Sequence, residues 1–151
     1  MYSLVQAIPT QSPKIPVKIC RFQPVYGPRC RPDMFVWRIL HSSLTGKKIQ
    51  KYGTGKGVRD WLFIDDAVGA IFRIMSKQMT CEIFNIGTGI GTSTNKLIEL
   101  CEQVTGKQAN IENVEAPPGD AHFAGLADCS KIRAMIGICF TLTQKSVVNP
   151  Q

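Results

Sequence analysis

Strands alternating with helices along 151 residues predict an α/β or α+β fold. Three observations carry that reading. Short apolar segments such as VKICRF and EIFNI have the length and composition of strands. Between them lie stretches with apolar residues at helical spacing, closed by glycines at positions 46, 106 and 137. The composition, 44% hydrophobic and 19% charged, is that of a folded globule and not of a disordered chain. The length suits one domain, or one domain and a piece of another.

The elements follow in order. Residues 1–16 read as an arm or remnant helix followed by a proline-broken loop. Val17–Phe22 alternates and reads as a strand. Residues 23–32 hold Pro24, Gly27, Pro28 and Pro32 and read as loop. Asp33 is placed to cap a helix through MFVWRILHSSL, stopped by Gly46. Residues 49–52 form a short strand, GTGKG (53–57) a flexible turn, and 58–64 a second strand. Asp65 and Asp66 start a helix whose apolar positions are Val68, Ile71, Phe72 and Met75. Residues 82–86 are a strand. Thr92 to Val104 is an amphipathic helix with Leu97, Leu100, Cys101 and Val104 on one face. Residues 110–114 read as a strand, 117–119 as a turn, and Asp128 or Ser130 caps a last helix ending near Gly137.

Charge and cysteines narrow the function. Residues 1–60 carry eleven Lys/Arg and two Asp/Glu, a net of +9; residues 61–151 carry seven and nine, a net of −2. A basic half attracts anions such as phosphorylated metabolites. Its charges are dispersed and no nucleic-acid motif accompanies them, so no nucleic-acid partner is expected. No run of about 18 apolar residues exists, so no membrane span is expected. The N-terminus lacks the pattern of a secretory signal. The six cysteines form no C-x-x-C pair and read as reduced thiols of a cytoplasmic protein, small core residues with no metal role.

Two glycine-rich loops invite a nucleotide reading. Ile86-Gly-Thr-Gly-Ile-Gly-Thr92 lies between a strand and a helix, as a dinucleotide fingerprint does, but Thr92 stands where the third glycine belongs. The competing reading is a strand-to-helix turn that needs positive φ. GTGKG at 53–57 fails the spacing of a P-loop.

Four segments in order, RFQPVYGPRCRPDM (21–34), YGTGKGVRDWLFIDDAV (52–68), EIFNIGTG (82–89) and PPGDAHFAGLADCSK (117–131), resemble the C-terminal half of the extended short-chain dehydrogenases. That family includes the nucleotide-sugar epimerases and dehydratases. The resemblance spans roughly residues 17–140 and is similar in motif to UDP-glucuronate 4-epimerases, dTDP-glucose 4,6-dehydratases and UDP-galactose 4-epimerases in different segments. It implies an α/β chain with a partial Rossmann-like fold: the last strands of a cofactor domain plus the small α/β substrate-binding subdomain, followed by a tail at 141–151.

The resemblance also implies sites. Arg59 matches an arginine that contacts the nucleotide diphosphate, a role its planar, permanently charged fork suits. Arg38 matches one near the sugar carboxylate, with a solvated helix face as the plain alternative. Tyr52 and Gly53 match the Y-G of the nucleotide-binding stretch. Phe22 and Val25 belong to the segment passing the nicotinamide of NAD and the sugar. Pro24 and Pro117 stand where the family carries hydrogen-bonding side chains. No residue is assigned to catalysis. The family's early glycine-rich loop has no match, and Tyr2, followed four residues on by Gln6, matches a tyrosine downstream of the Tyr-x-x-x-Lys pair. The expectation is a truncated or degenerate epimerase, inactive alone. The rival expectations are a module that binds a UDP-sugar without catalysis, and an interaction protein that forms a homodimer or docks on a full-length paralogue.

Overall fold

The computed structural model describes residues 17–79, 81–116, 126–138 and 140. The expected arm at 1–16, the turn at 117–119, Cys139 and the tail at 141–151 lie outside the described residues. In chain order the elements are β1 (Val17–Phe22), β2 (Val25–Tyr26), α1 (Phe35–Thr45), β3 (Ile49–Tyr52), β4 (Val58–Asp60), β5 (Leu62–Phe63), α2 (Ile64–Ser76), β6 (Cys81–Ile86), β7 (Gly91–Ser93), α3 (Thr94–Thr105), β8 (Ile111–Val114) and α4 (Ser130–Ile136). Three strand pairs are parallel: β1 with β6, β2 with β5, and β3 with β8. The fourth pair, β4 with β7, is antiparallel. Parallel pairs joined through helices make this an α/β fold.

Two apolar cores hold it. In the first, Phe84 and Ile86 of β6 meet Ala67, Ala70 and Ile74 of α2 and Ile132 and Ile136 of α4. In the second, Val36 and Ile39 of α1 meet Leu97, Ile98 and Cys101 of α3, with Tyr26, Ile49 and Trp61 between. Ser42, Ser43, Asp60 and Thr88, buried beside these cores, are hydrogen-bonded. Ser42, fully buried near the end of α1, donates to the Lys47 carbonyl at 2.7 Å and accepts from the Asn110 amide at 2.9 Å. That hydroxyl ties α1 to the start of β8.

Several sequence expectations need correction. Residues 23–32 are not all loop, because Val25–Tyr26 is recruited as β2 by pairing with β5. Asp33 does not cap α1. Its carboxylate is forked by Arg31, with Nε to Oδ1 at 2.9 Å, and Met34 occupies the cap position without a side-chain bond. The expected strand at 58–64 breaks at Trp61, which turns into the second core. Asp65 and Asp66 lie in the first turn of α2 and not at its cap, which is Phe63. The helix expected from Thr92 begins at Thr94, because residues 91–93 pair with β4.

The largest correction concerns α2. Its small residues Ala67 and Ala70, with Ile74, face the core, while Val68, Ile71, Phe72 and Met75 face outward. Phe72 and Met75 are each 67% exposed. Small residues let the helix approach β1 and β5 closely, which leaves the larger apolar positions as a stripe on the opposite side.

Candidate functional site

Ligands of parallel α/β sheets bind beyond the carboxyl ends of the strands. Here β1 and β6 end together at Phe22 and Ile86, which are register partners. The chain leaving β1 stays close: the Gln23 amide donates to the Ile86 carbonyl at 2.9 Å. Phe22 is 41% exposed at this end, and Val25 is half-buried against the first core. An exposed aromatic ring at the carboxyl end of a parallel strand fits one wall of a nicotinamide site.

The segment from Tyr52 to Arg59 is a braced turn, where the sequence predicts a flexible one. Gly53 (φ 63°) and Gly55 (φ 71°) occupy the left-handed region that a side chain disfavours. The Gly53 amide donates to the Val114 carbonyl at 2.9 Å. Asn95, in the first turn of α3, donates from its backbone to Gly55 O at 3.0 Å and from its side chain to Thr54 O at 3.1 Å. A side chain at Gly55 would collide with Asn95. Lys51 Nζ donates to Asn95 Oδ1 at 3.0 Å, and the Thr94 amide donates to Gly57 O at 3.0 Å. The turn is therefore moulded onto the N-terminus of α3 and delivers the chain into β4, where Arg59 sits half-buried opposite Thr92.

The 86–92 loop is a turn, and its amides are occupied by the chain itself. Asp60 is fully buried. Its Oδ1 accepts from the Thr88 amide at 2.9 Å and the Thr88 hydroxyl at 2.5 Å, and its Oδ2 accepts from the Gly89 amide at 2.8 Å. Amides of this kind are what a pyrophosphate would use. They do not fit that role here, because a carboxylate already fills them. The carbonyl side of the turn is also held, with Arg133 Nη2 donating to Thr88 O at 2.8 Å and Cys129 Sγ to Gly87 O at 3.1 Å. Burial, then the nearby Asp60 charge, pushes the Cys129 thiol up, so it is a structural donor and not a nucleophile.

Tyr52, Gly53 and Arg59 thus lie on one short braced segment. Tyr52 is 50% exposed at its edge. Arg38 stands apart on α1, half-buried. By letter alone Tyr52 and Lys56 also have the Tyr-x-x-x-Lys spacing. They lie across a turn with two left-handed glycines, so the spacing does not stack them as one helical turn would. The residues that sequence reasoning missed are Asp60, Thr88 and Arg133. Their only sequence signal is Asp60 itself, an aspartate beside the apolar run at 61–64, which demands donors where it is buried. Among the described residues, no group of three His, Cys, Asp or Glu side chains could hold a metal ion, and no helix is long and apolar enough to cross a membrane.

Comparison with known proteins gives a consistent set of relatives. The uncharacterized UDP-glucose epimerase YtcB of Bacillus subtilis (strain 168) is 34% identical over 127 residues, which is 83% of this chain and 40% of that protein. The UDP-glucuronate 4-epimerase of Thermodesulfobacterium geofontis is 34% identical over 122 residues, 80% of this chain and 37% of that one. The solved structure of MoeE5 in complex with UDP-glucuronic acid and NAD superposes with a TM-score of 0.81 at 27% identity, covering 89% of this chain and 46% of that one. The chain therefore spans about two-fifths of the length of these curated relatives and just under half of the solved one. The sequence model of the NAD dependent epimerase/dehydratase family matches residues 1–87, more than half of the chain. With the Rossmann-like strand pairs described above, this shows that the chain belongs to the NAD-dependent epimerase/dehydratase family.

Proposed function

We propose that this chain is the substrate-binding part of a nucleotide-sugar epimerase and that it holds a UDP-sugar, UDP-glucuronate, through Arg59. The observation that carries the reading is the braced Tyr52–Arg59 segment. It fixes a half-buried guanidinium on a strand instead of leaving it on a mobile loop, as bidentate recognition of a diphosphate requires. The relatives support the substrate class, since similar proteins are a UDP-glucuronate epimerase and a protein solved with UDP-glucuronic acid and NAD. Tyr52 and Gly53 line the nucleotide beside Arg59, and Arg38 approaches the sugar carboxylate from α1.

NAD, when bound, supplies hydride exchange at the sugar. Phe22 and Val25 contribute one wall beside its nicotinamide. The chain's own residues bind and orient the sugar nucleotide. No acid or base is assigned among them, so the 151-residue polypeptide is expected to bind without turnover.

Calorimetric titration of UDP-glucuronate against wild type and Arg59→Ala tests the reading. Measurable heat in the wild type and at least a tenfold loss in the variant are expected, the worth of a bidentate charged contact at about 1.4 kcal/mol or more. Equal, negligible heats would dismiss ligand binding. Epimerase activity in the purified polypeptide would overturn the assignment of no turnover.

A second reading rests on a different observation. The β1–β6 pair is covered by α2 and α4 on the face of Phe84 and Ile86, while Val17, Ile19 and Ile83 remain half-exposed on the other. Parallel strands are normally covered on both faces. We infer that a full-length member of the same family covers this open face of the strand pair. Co-elution of the two chains, lost in Ile19→Asp, is the expected result. A monomer at every concentration, with and without that partner, would remove this reading and the homodimer together.

A further inference from the structure

We propose that Asp60 is the positioning residue for Arg59: its buried carboxylate clamps the Gly87–Gly91 turn against β4 and so fixes the strand from which Arg59 is presented. The proposal rests on the Arg59 reading above and adds to it the group that holds the arginine in place.

The pairing that carries Arg59 is short. β4 and β7 share three register pairs, Val58 with Ser93, Arg59 with Thr92 and Asp60 with Gly91. An isolated two-stranded pair of that length is not stable in water, so bonds outside the ladder hold β7 in register: the Thr94 amide on Gly57 O at its far end, and the Asp60 contacts at the end fed by the turn. The turn that feeds β7 begins at Gly87. All three donors it offers to Asp60, the two amides and the Thr88 hydroxyl, are taken by that one carboxylate. The approach is close enough that a side chain at Gly87 would collide with Asp60 and with Gln23. Gly89 adopts φ 73° with the Arg133 guanidinium against it.

A buried carboxylate satisfied by three donors is costly to dislodge, because leaving either side unpaired exposes a bare charge or orphaned amides to an apolar interior. Successive residues of a strand point to opposite faces. Asp60 therefore grips the turn on one face of β4, and Arg59 projects from the other. A shift of the turn would carry Thr92 away from Arg59 and change the direction of the guanidinium. The link Phe22–Val25, adjoining through Gln23, would lose its stop in the same movement.

The test is a double-mutant cycle on the full chain, read with UDP-glucuronate by calorimetry and, without ligand, by NMR. In Asp60→Asn the fold is expected to persist. The Thr88 and Gly89 amides should exchange about tenfold faster, and the cross-strand Arg59–Thr92 contact should weaken. Affinity should fall as far as in Arg59→Ala, and the double variant should be no worse than Arg59→Ala alone. An Asp60→Asn effect that persists undiminished in the Arg59→Ala background would make Asp60 merely structural and overturn the proposal. So would unchanged exchange and an unchanged Arg59–Thr92 contact. If Asp60→Asn does not fold, Thr88→Val, which removes one donor only, should show the same pattern in smaller size. If the wild type binds no UDP-glucuronate, the Arg59 reading fails by itself, and the exchange rates and the Arg59–Thr92 contact still decide whether Asp60 fixes the strand.

Discussion

The carboxylate of Asp60, on β4, accepts both the backbone amide and the hydroxyl of Thr88, at 2.9 and 2.5 Å, from the turn that leads into β7, the partner of β4 in a three-residue ladder. Its removal leaves those donors and the Gly89 amide unsatisfied in a buried site. Asp60→Ala is therefore expected to lose about 2–4 kcal/mol of stability, and Thr88→Val about 1–2 kcal/mol. Urea unfolding measures both. A loss below about 0.5 kcal/mol in Asp60→Ala would mean that the turn is held by other contacts.

Lys18 makes a comparable clamp between β1 and the end of α2. Its ammonium donates to the carbonyls of Ile74, Met75 and Lys77, at 2.9, 3.2 and 2.6 Å, at the end of α2, where the Ile74 carbonyl also accepts from the Lys77 amide at 3.3 Å. A cation at a helix C-terminus also meets the negative end of its dipole. Lys18→Met keeps most of the apolar stem and removes the charge. It should cost about 1 kcal/mol and raise amide exchange in the last turn of α2 before the rest of the helix. Uniform exchange across α2 would show that the helix end is held without Lys18.

Trp61 is a place where the fold carries a cost. Its indole Nε1 is buried in the second core and has no hydrogen-bond partner among the described residues. Trp61→Phe removes that unsatisfied donor, worth about 1–3 kcal/mol, and leaves a gap of similar cost. The two effects nearly cancel, so Trp61→Phe is expected within about 1 kcal/mol of wild type, while Trp61→Ala loses about 3–5 kcal/mol. A Trp61→Phe loss above about 2 kcal/mol would mean that the N–H has found an acceptor in solution.

These residues mark what the sequence could and could not convey. Val17–Phe22, the short strand at 49–52 and the glycine stops at 46, 106 and 137 were legible because local pattern and backbone chemistry fix them. The two-residue strands β2 and β5 were not, since each exists only through pairing with the other. The orientation of α2 was illegible for a related reason. Both its faces are apolar, and the choice between them depends on how close the helix must come to the strands beneath it. Of the site, Arg59, Tyr52 and Gly53 stood out as a motif. The clamp behind them did not, because Asp60 and Thr88 are 28 residues apart and meet only through the fold.

The five described cysteines are all free thiols. Cys81 is exposed, Cys20 and Cys30 are half-buried, and Cys101 and Cys129 are buried. Burial, with the neighbouring Glu102 charge, pushes the Cys101 thiol up to about 12. The thiolate is the reactive form, so Cys101 is expected to be inert at neutral pH until the protein unfolds. Timed maleimide labelling read by peptide mass spectrometry should modify Cys81 first and Cys101 and Cys129 last. Early labelling of Cys101 would show that the α1–α3 core opens locally.

The start of α4 supplies a pH dependence with a definite sign. Asp128 Oδ1 accepts from the Ser130 amide at 2.9 Å, and that bond holds the carboxyl below the ordinary aspartate range. Folding thus favours the ionised form. Its contribution is complete above the unfolded value of about 3.9 and is lost as pH falls through the lower folded value. Asp128→Ala should therefore melt below wild type at pH 7, and the gap should close as the pH is taken below about 4. A gap that stays constant down to pH 2 would mean that the side chain acts through packing at the start of α4 and not through its charge.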